Sequence, residues 1–207
     1  MPEFRELLDG YARFRRQDFQ RHRDAWSNLA KGQNPPVMII GCCDSRVDPA
    51  TVFDMEPGQA FVLRNVANLV PAYGDGAGLA GVRSAIEFAV LGLEVKHIVV
   101  MGHESCGGVA ASISGADLGQ PGPSFLDEWI AQLEPSRDTV LEDAGIDNKQ
   151  LGLELESIRQ SIANLMSFPY VAERVASGKL KLHGCHFSIG QARLSVLDPD
   201  SGRFDEA

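Results

Sequence analysis

"PVMIIGC", residues 36–42, decides the architecture. It is a short, nearly unbroken apolar run, and helical patterns lie on both sides of it. A strand that is apolar at consecutive positions is buried on both faces, which is the signature of a parallel sheet covered by helices. "KHIVVMGH" (96–103) repeats the pattern. "AFVLRNVANLV" (60–70) is a further strand candidate whose tail must bend at Pro71, and "KLKLHGCHFSIG" (179–190) with "RLSVLD" (193–198) reads as a hairpin pair.

Helical spacing fills the intervals. Phe4, Leu7, Leu8, Tyr11, Phe14 and Phe19 recur at roughly helical intervals, Trp26 and Leu29 continue the face, and Gly32 with "NPP" stops it, so residues 3–31 are expected to be helix. Residues 74–95 start glycine-rich and turn helical, with Leu79, Val82, Ile86, Phe88, Ala89 and Leu93 as the apolar face. "ESCGGVAASIS" (104–114) can open a short helix. Residues 115–123 are a Gly- and Pro-rich loop, and helices are expected near 124–144, 150–167 and 170–178. Strand alternating with helix predicts an α/β fold with a mostly parallel central sheet flanked by helices. The expected organisation is an N-terminal helical arm, 1–34, and an α/β domain, 35–207.

The chain has 207 residues and a formal net charge of -9, with 44% apolar and 23% charged residues. That is the composition of a water-soluble globular protein. The acidic balance argues against nucleic acid or an anionic membrane as partner, because neither offers the positive charge to offset it. The arginines of the first helix are interleaved with Glu3, Glu6, Asp9 and Asp18, unlike a transit peptide, so the expected location is the cytoplasm. Cys42, Cys43, Cys106 and Cys185 are expected to serve a metal or catalysis rather than disulfides.

In open α/β sheets, sites form beyond the carboxyl ends of the strands. "GCCDSR" follows one strand and "GHESCGG" another, so two polar clusters share one rim. Side chains alternate along a strand, which places Cys42, Asp44 and Arg46 on one side and Cys43 and Ser45 on the other. Cys43 is therefore expected in the core. His103 and Cys106 can meet one ion if a turn begins between them. Two thiolates and one imidazole, with Asp44 as a possible fourth ligand, form a zinc set, and three ligands with one exchangeable position form a catalytic one. Taken singly, each of these residues fits a structural role; it is their joint placement that points to a metal. Gly107 and Gly108 are expected to let the backbone approach a small ligand. Arg64 and Asn65 are open between a site role and a structural one, pairing with an acid and bonding to backbone. His183, Cys185 and His186 alternate faces on one strand and are expected to be structural, as are His22 and His97.

"CCDSRVDP", "RNVANLV" and "GHESCGG", in this order, resemble the β-class carbonic anhydrases; weaker similarity runs along most of the chain. The resemblance implies a Zn(II) enzyme that interconverts carbon dioxide and bicarbonate through zinc-bound hydroxide. It implies an antiparallel edge strand, an arm wrapped on a partner subunit, and a homodimer or homotetramer. Cys42, His103 and Cys106 would bind zinc, one ion per subunit, and Asp44 and Arg46 would form the catalytic dyad. Asp44 would join the metal only if the site closes. One branch of the family carries an inhibitory bicarbonate pocket of Trp, Arg and Tyr; here Ile39, Arg64 and Phe187 stand at those positions. The open, plant-like branch lines its substrate pocket with Gln, Phe and Tyr, and Gln33, Phe61 and Phe88 stand there, with Gly107 beside them. An open site is the expectation, with activity rising at alkaline pH because two thiolates cancel most of the zinc charge. Glu104 would add negative charge beside the metal. Carbon disulfide or carbonyl sulfide hydrolysis, and a closed structural zinc site, are the alternatives that the same ligands allow.

Overall fold

The computed structural model describes residues 3–74, 80–115 and 124–207. The chain divides into two compact units, Met1–Asn34 and Pro35–Ala207.

The first unit is helical but not one helix. It contains α1 (Phe4–Arg16), α2 (Asp18–Arg21) and α3 (Arg23–Leu29). Twelve residues of straight helix would span about 18 Å, yet the rings of Phe14 and Trp26 lie 5.5 Å apart, with Phe19 against both. The aromatic contact folds the segment back on itself, and the breaks fall at Gln17, distorted to φ -112° and ψ -74°, and at His22, whose backbone leaves the helical region. A reciprocal capping box between Glu3 and Glu6 starts α1. Phe4, Leu7, Leu8 and Tyr11 form a stripe on α1 that stays at least half exposed.

The second unit is built on a six-stranded sheet in the order β2-β1-β3-β4-β5-β6. The strands are β1 (Val37–Cys42), β2 (Ala60–Asn65), β3 (His97–His103), β4 (Lys181–Ser188), β5 (Arg193–Leu197) and β6 (Phe204–Glu206). The first four in spatial order run parallel, and β5 and β6 add antiparallel pairs at one edge. The apolar runs were therefore read correctly as parallel strands, and the 193–198 segment as a hairpin partner. β6 was not foreseen: three residues after a turn carry too little pattern.

The remaining helices are α4 (Pro49–Val52), α5 (Ala80–Glu87), α6 (Gly107–Ser114), α7 (Phe125–Ile130), α8 (Glu134–Glu142), α9 (Lys149–Met166) and α10 (Pro169–Ala176). α5 continues into one wider π-helical turn, Phe88–Gly92. The expected helix over 124–144 is two. Pro135 lacks the N–H an interior position needs, so a 3-10 turn, Ala131–Leu133, intervenes and α8 restarts with the proline in its first turn. The expected strand over 60–70 stops at Asn65. The Asn65 amide captures both backbone groups of Leu69, at 2.8 and 2.9 Å, and closes the 66–68 turn with Ala67 and Asn68 at positive φ. The 115–123 loop, Leu79 and the glycine-rich start of the 74–95 segment lie largely or wholly outside the described residues.

Met38, Ile40, Ile98 and Val100 pack on one side with Ile86, Val90, Ile158, Leu165 and Phe168. Ile39, Met101 and Cys185 pack with Val109, Leu133, Val140 and Leu153 in a second cluster that includes Cys42 and Cys106. α9 lies unusually close to β3 and β4 because Gly102 and Gly184 carry no side chain. A Cβ at Gly184 would sit 2.7 Å from Ile158 Cγ2 and 2.9 Å from Ile162 Cδ1, and one at Gly102 2.7 Å from Ile158 Cδ1. Gly184→Ala is expected to destabilise the fold by about 1–3 kcal/mol through overpacking, read as a lower midpoint in thermal unfolding. An unchanged midpoint would mean that α9 can shift outward freely.

Candidate metal centre

The carboxyl ends of β1 and β3 deliver three side chains to one point. Cys42 is the last residue of β1, His103 the last of β3, and Cys106 the N-cap of α6. All three are buried, at 5%, 1% and 1% exposure, and their ligand atoms lie within 4.8 Å of one another. Among the described residues, no other group of three His, Cys, Asp or Glu side chains converges in this way.

The geometry fits zinc. Two sulfurs at ordinary zinc–sulfur distances and a tetrahedral angle lie about 3.8 Å apart; Cys42 Sγ and Cys106 Sγ are 3.9 Å apart and unbonded. His103 Nδ1 lies 2.9 Å from the carbonyl oxygen of Glu104, which can only accept, so in the neutral ring Nδ1 carries the proton. That leaves Nε2 as a bare lone pair, fully buried and with no hydrogen-bond partner among the described residues. A buried imidazole nitrogen without a partner is costly, and a cation among the three atoms resolves it. The thiols already share charge. The hydrogen bond from Cys106, against burial, pulls Cys42 well below the usual thiol range; the same contact, together with burial, pushes Cys106 up. The N–H groups of Asp44 and Ala67 add to the stabilisation of the Cys42 thiolate.

Asp44 stands beside this group without joining it. Its Oδ2 is 4.0 Å from His103 Nε2. Arg46 holds it at two points, Nε to Oδ1 at 2.9 Å and Nη2 to Oδ2 at 2.6 Å, and the Arg46 N–H adds a third bond at 2.9 Å. This pairing keeps the Asp44 carboxyl well below the usual carboxylate range, so it is ionised at any working pH. Arg46 also donates to the Ser105 carbonyl at 3.1 Å.

Arg64 takes the structural role. Its guanidinium donates to the carbonyls of Cys42 and Asp44, at 2.8 and 2.7 Å, and to Asp48 Oδ2 at 2.7 Å, bracing the loop after β1. Ile39 is buried and Phe187 packs against the second core cluster. Cys43 is not in the core: β1 ends one residue earlier, alternation no longer applies, and the side chain is exposed. Glu104 is tied to the turn between β4 and β5, accepting from Ser188 Oγ at 2.9 Å and Gly190 N at 3.0 Å. Those donors, the Gly190 N–H first, hold its pKa down. The glycines differ: a Cβ at Gly107 would meet open space, whereas one at Gly108 would strike Val66 at 2.6 Å, so Gly108 serves helix packing rather than ligand approach.

Phe61 and Phe88 touch, with ring centroids 5.8 Å apart. They do not meet the Cys–His–Cys group of their own chain. Phe61 precedes Asn65, the partner of Cys42 in register, by four residues, about 13 Å along a strand, and it packs against the other core cluster. Gln33 lies in the N-terminal unit and is exposed. His97 and His183 pair with each other at 3.0 Å, and His186 with Glu154 at 3.0 Å, so the 183–186 cluster is structural.

Comparison with known proteins identifies the family. The carbonic anhydrase family model matches residues 37–194. The chain belongs to the β-class carbonic anhydrases. Beta carbonic anhydrase 6, mitochondrial, of Arabidopsis thaliana is 35% identical over 192 residues, covering 91% of this chain and 66% of that relative's length. The structure of the β-carbonic anhydrase CcaA superposes with a TM-score of 0.91 at 31% identity, covering 98% of this chain and 91% of that one. A tetrameric β-carbonic anhydrase of the ascomycete Sordaria macrospora gives 0.82 at 32% identity, covering 94% and 96%. The family is one of enzymes that hydrate carbon dioxide.

The residues that sequence reasoning missed lie behind the Cys–His–Cys group. Glu154 and Gln150 of α9, with His186 of β4, form a buried network against the backbone of Cys106. One signal could have found it: Glu154 is a charged residue on the apolar face of α9, between Leu153 and Ser157.

Proposed function

We propose that this chain is a zinc-dependent carbonic anhydrase of the open-site type, reversibly hydrating carbon dioxide to bicarbonate and a proton, with Cys42, His103 and Cys106 as ligands. The observation that carries the reading is Asp44 gripped by Arg46 4.0 Å from His103 Nε2, beside the ligand set and outside it. Bound there, zinc supplies the Lewis acidity that brings the ionisation of a water toward neutral pH. Asp44 accepts a hydrogen bond from the attacking oxygen and aims its lone pair at carbon dioxide. Arg46 fixes Asp44 in place and prevents it from filling the fourth position. Gly107 leaves open space at the start of α6 for the substrate.

Phe61, Phe88 and Gln33 would line the pocket of a neighbouring subunit, since Phe61 and Phe88 do not reach the metal group of their own chain. A homodimer or homotetramer is the assembly this requires. The exposed stripe Phe4, Leu7, Leu8 and Tyr11 supports an arm that covers itself on a partner, and the Sordaria relatives are tetrameric. No helix among the described residues is long and apolar enough to cross a membrane. The acids interleaved in α1–α3 favour the cytoplasm, although the Arabidopsis relative is named mitochondrial.

The test is one preparation measured for zinc content, for mass by light scattering, and for carbon dioxide hydration by stopped flow across pH. The expected result is one zinc per subunit in an oligomer, with a rate that rises on the alkaline side, because two thiolates weaken the acidifying effect of the ion. Stoichiometric zinc with no hydration at any pH would sink the assignment.

A further inference from the structure

The buried face of α9 carries Leu153, Ser157, Ile158, Ser161 and Leu165, and among them Glu154, 2% exposed. A carboxylate is expensive to bury unless its oxygens are engaged. Here both are. Oε1 accepts the Cys106 N–H at 3.0 Å and Gln150 Nε2 at 2.7 Å, and Oε2 lies 3.0 Å from His186 Nε2. Gln150 Nε2 also donates to the Cys106 carbonyl at 3.1 Å. The close approach of α9 to β3 and β4 over Gly102 and Gly184 brings Glu154, one turn before Ile158, under the end of the sheet.

The peptide unit joining Ser105 to Cys106 is thus held from both sides. Its carbonyl accepts from Arg46 and its N–H donates to Glu154. Ser105 has φ +56°, in the left-handed region that non-glycine residues rarely adopt. Such a conformation persists only where its surroundings over-determine it, and this double grip does so next to a metal ligand.

We propose that Glu154 is a positioning residue for the metal centre. Acting through the Ser105–Cys106 peptide, it holds the Cys106 thiol toward Cys42 and His103 and keeps the Ser105 carbonyl aimed at Arg46. It touches no reacting atom. The proposal rests on the reading of Cys42, His103 and Cys106 as the zinc site. A glutamate that merely fastened α9 to the sheet would change the melting temperature and leave the residence of the metal alone.

The test follows zinc transfer from the full-length loaded protein to an excess of a colorimetric chelator, with thermal midpoints measured alongside. Glu154→Met removes the acceptor at nearly constant shape, and zinc is expected to leave on the order of 10-fold faster or more. Glu154→Gln keeps an oxygen for the Cys106 N–H and can donate its amide to His186 Nε2, so its release should stay within about threefold of the parent, rescuing the bond without the charge. Folded Glu154→Met that releases zinc at the parent rate overturns the proposal. Equal acceleration in both variants overturns it too, since charge rather than the bond to Cys106 would then be responsible. Should Glu154→Met fail to fold, Gln150→Leu removes the brace on both the carboxylate and the Cys106 carbonyl; several-fold faster release is expected, and an unchanged rate is fatal. A chain that takes up no zinc at all refutes the metal site itself, an outcome distinct from zinc held and lost at an unchanged rate.

Discussion

Cys42→Ala is expected to leave the chain with little zinc and with hydration near the uncatalysed background, while Cys43→Ala keeps both. The two thiols are neighbours in sequence and opposite in circumstance. Cys42 is buried, 3.9 Å from Cys106 Sγ, with its thiolate supported by Cys106 and by two backbone N–H groups. Cys43 is exposed, and its partial desolvation, together with the negative charge on Cys42, raises its pKa, which disfavours the thiolate a metal needs. No side chain among the described residues near the site is free to replace the lost sulfur. Asp44 is committed to Arg46, and Glu104 to the turn between β4 and β5. His103→Ala should match Cys42→Ala in zinc content, since it removes the nitrogen whose buried lone pair has no other partner among the described residues. Zinc measured by atomic emission, with stopped-flow rates on the same samples, decides the matter. A Cys43→Ala protein that loses its metal while Cys42→Ala retains it would reverse the assignment.

Much of this is legible in the amino-acid sequence alone. β1 and β3 were visible as apolar runs because a strand covered on both faces has no polar positions to blur it. "GCCDSR" and "GHESCGG" followed them, and the rule that sites form at the carboxyl ends of parallel strands placed Cys42, Asp44, His103 and Cys106 together. What failed did so where local pattern is overridden. Alternation put Cys43 in the core, but alternation belongs to a strand, and the strand ends at Cys42. The long helices over 3–31 and 124–144 had the right period and broke anyway, one because Phe14, Phe19 and Trp26 prefer one another to a straight rod, the other at Pro135. The role of Glu154 was hidden for a different reason, although its charge stands out on the apolar face of α9. Its partner, Cys106, is 48 residues away, and only the packing of α9 over two glycines brings them into contact. Phe61 and Phe88 show the converse: a resemblance assigns them to the pocket, and the geometry of one chain sends them elsewhere.

Arg46→Leu is expected to inactivate the enzyme without removing its zinc, by letting Asp44 do what Arg46 prevents. In the native chain the carboxylate spends both oxygens on the guanidinium, at 2.9 and 2.6 Å. Charge-assisted paired bonds of this kind are strong and directional, and Arg46 is itself anchored to the Ser105 carbonyl. Without it, Asp44, ionised and with Oδ2 only 4.0 Å from His103 Nε2, would be free to turn toward a zinc ion held by Cys42, His103 and Cys106 and would close the site. Asp44→Asn differs: the amide cannot compete for the metal as an anion, so the site stays open, but the nucleophile loses the anionic carboxylate that aims it. Loss of a positioned acid–base partner lowers rates by about 100- to 10,000-fold, and Asp44→Asn should fall in that range with zinc intact. The pair of variants then yields a sharper expectation than either alone. If Arg46 acts by restraining Asp44, the double variant Arg46→Leu/Asp44→Asn can be no slower than Asp44→Asn by itself, because no carboxylate remains to be restrained. Independent roles would instead multiply the two losses. Cobalt-substituted samples supply the structural half of the test, since an added carboxylate ligand in Arg46→Leu alters the visible absorption and its removal in the double variant restores it. Additive losses, or an Arg46→Leu protein with the parent rate, would show that the dyad does not hold the site open.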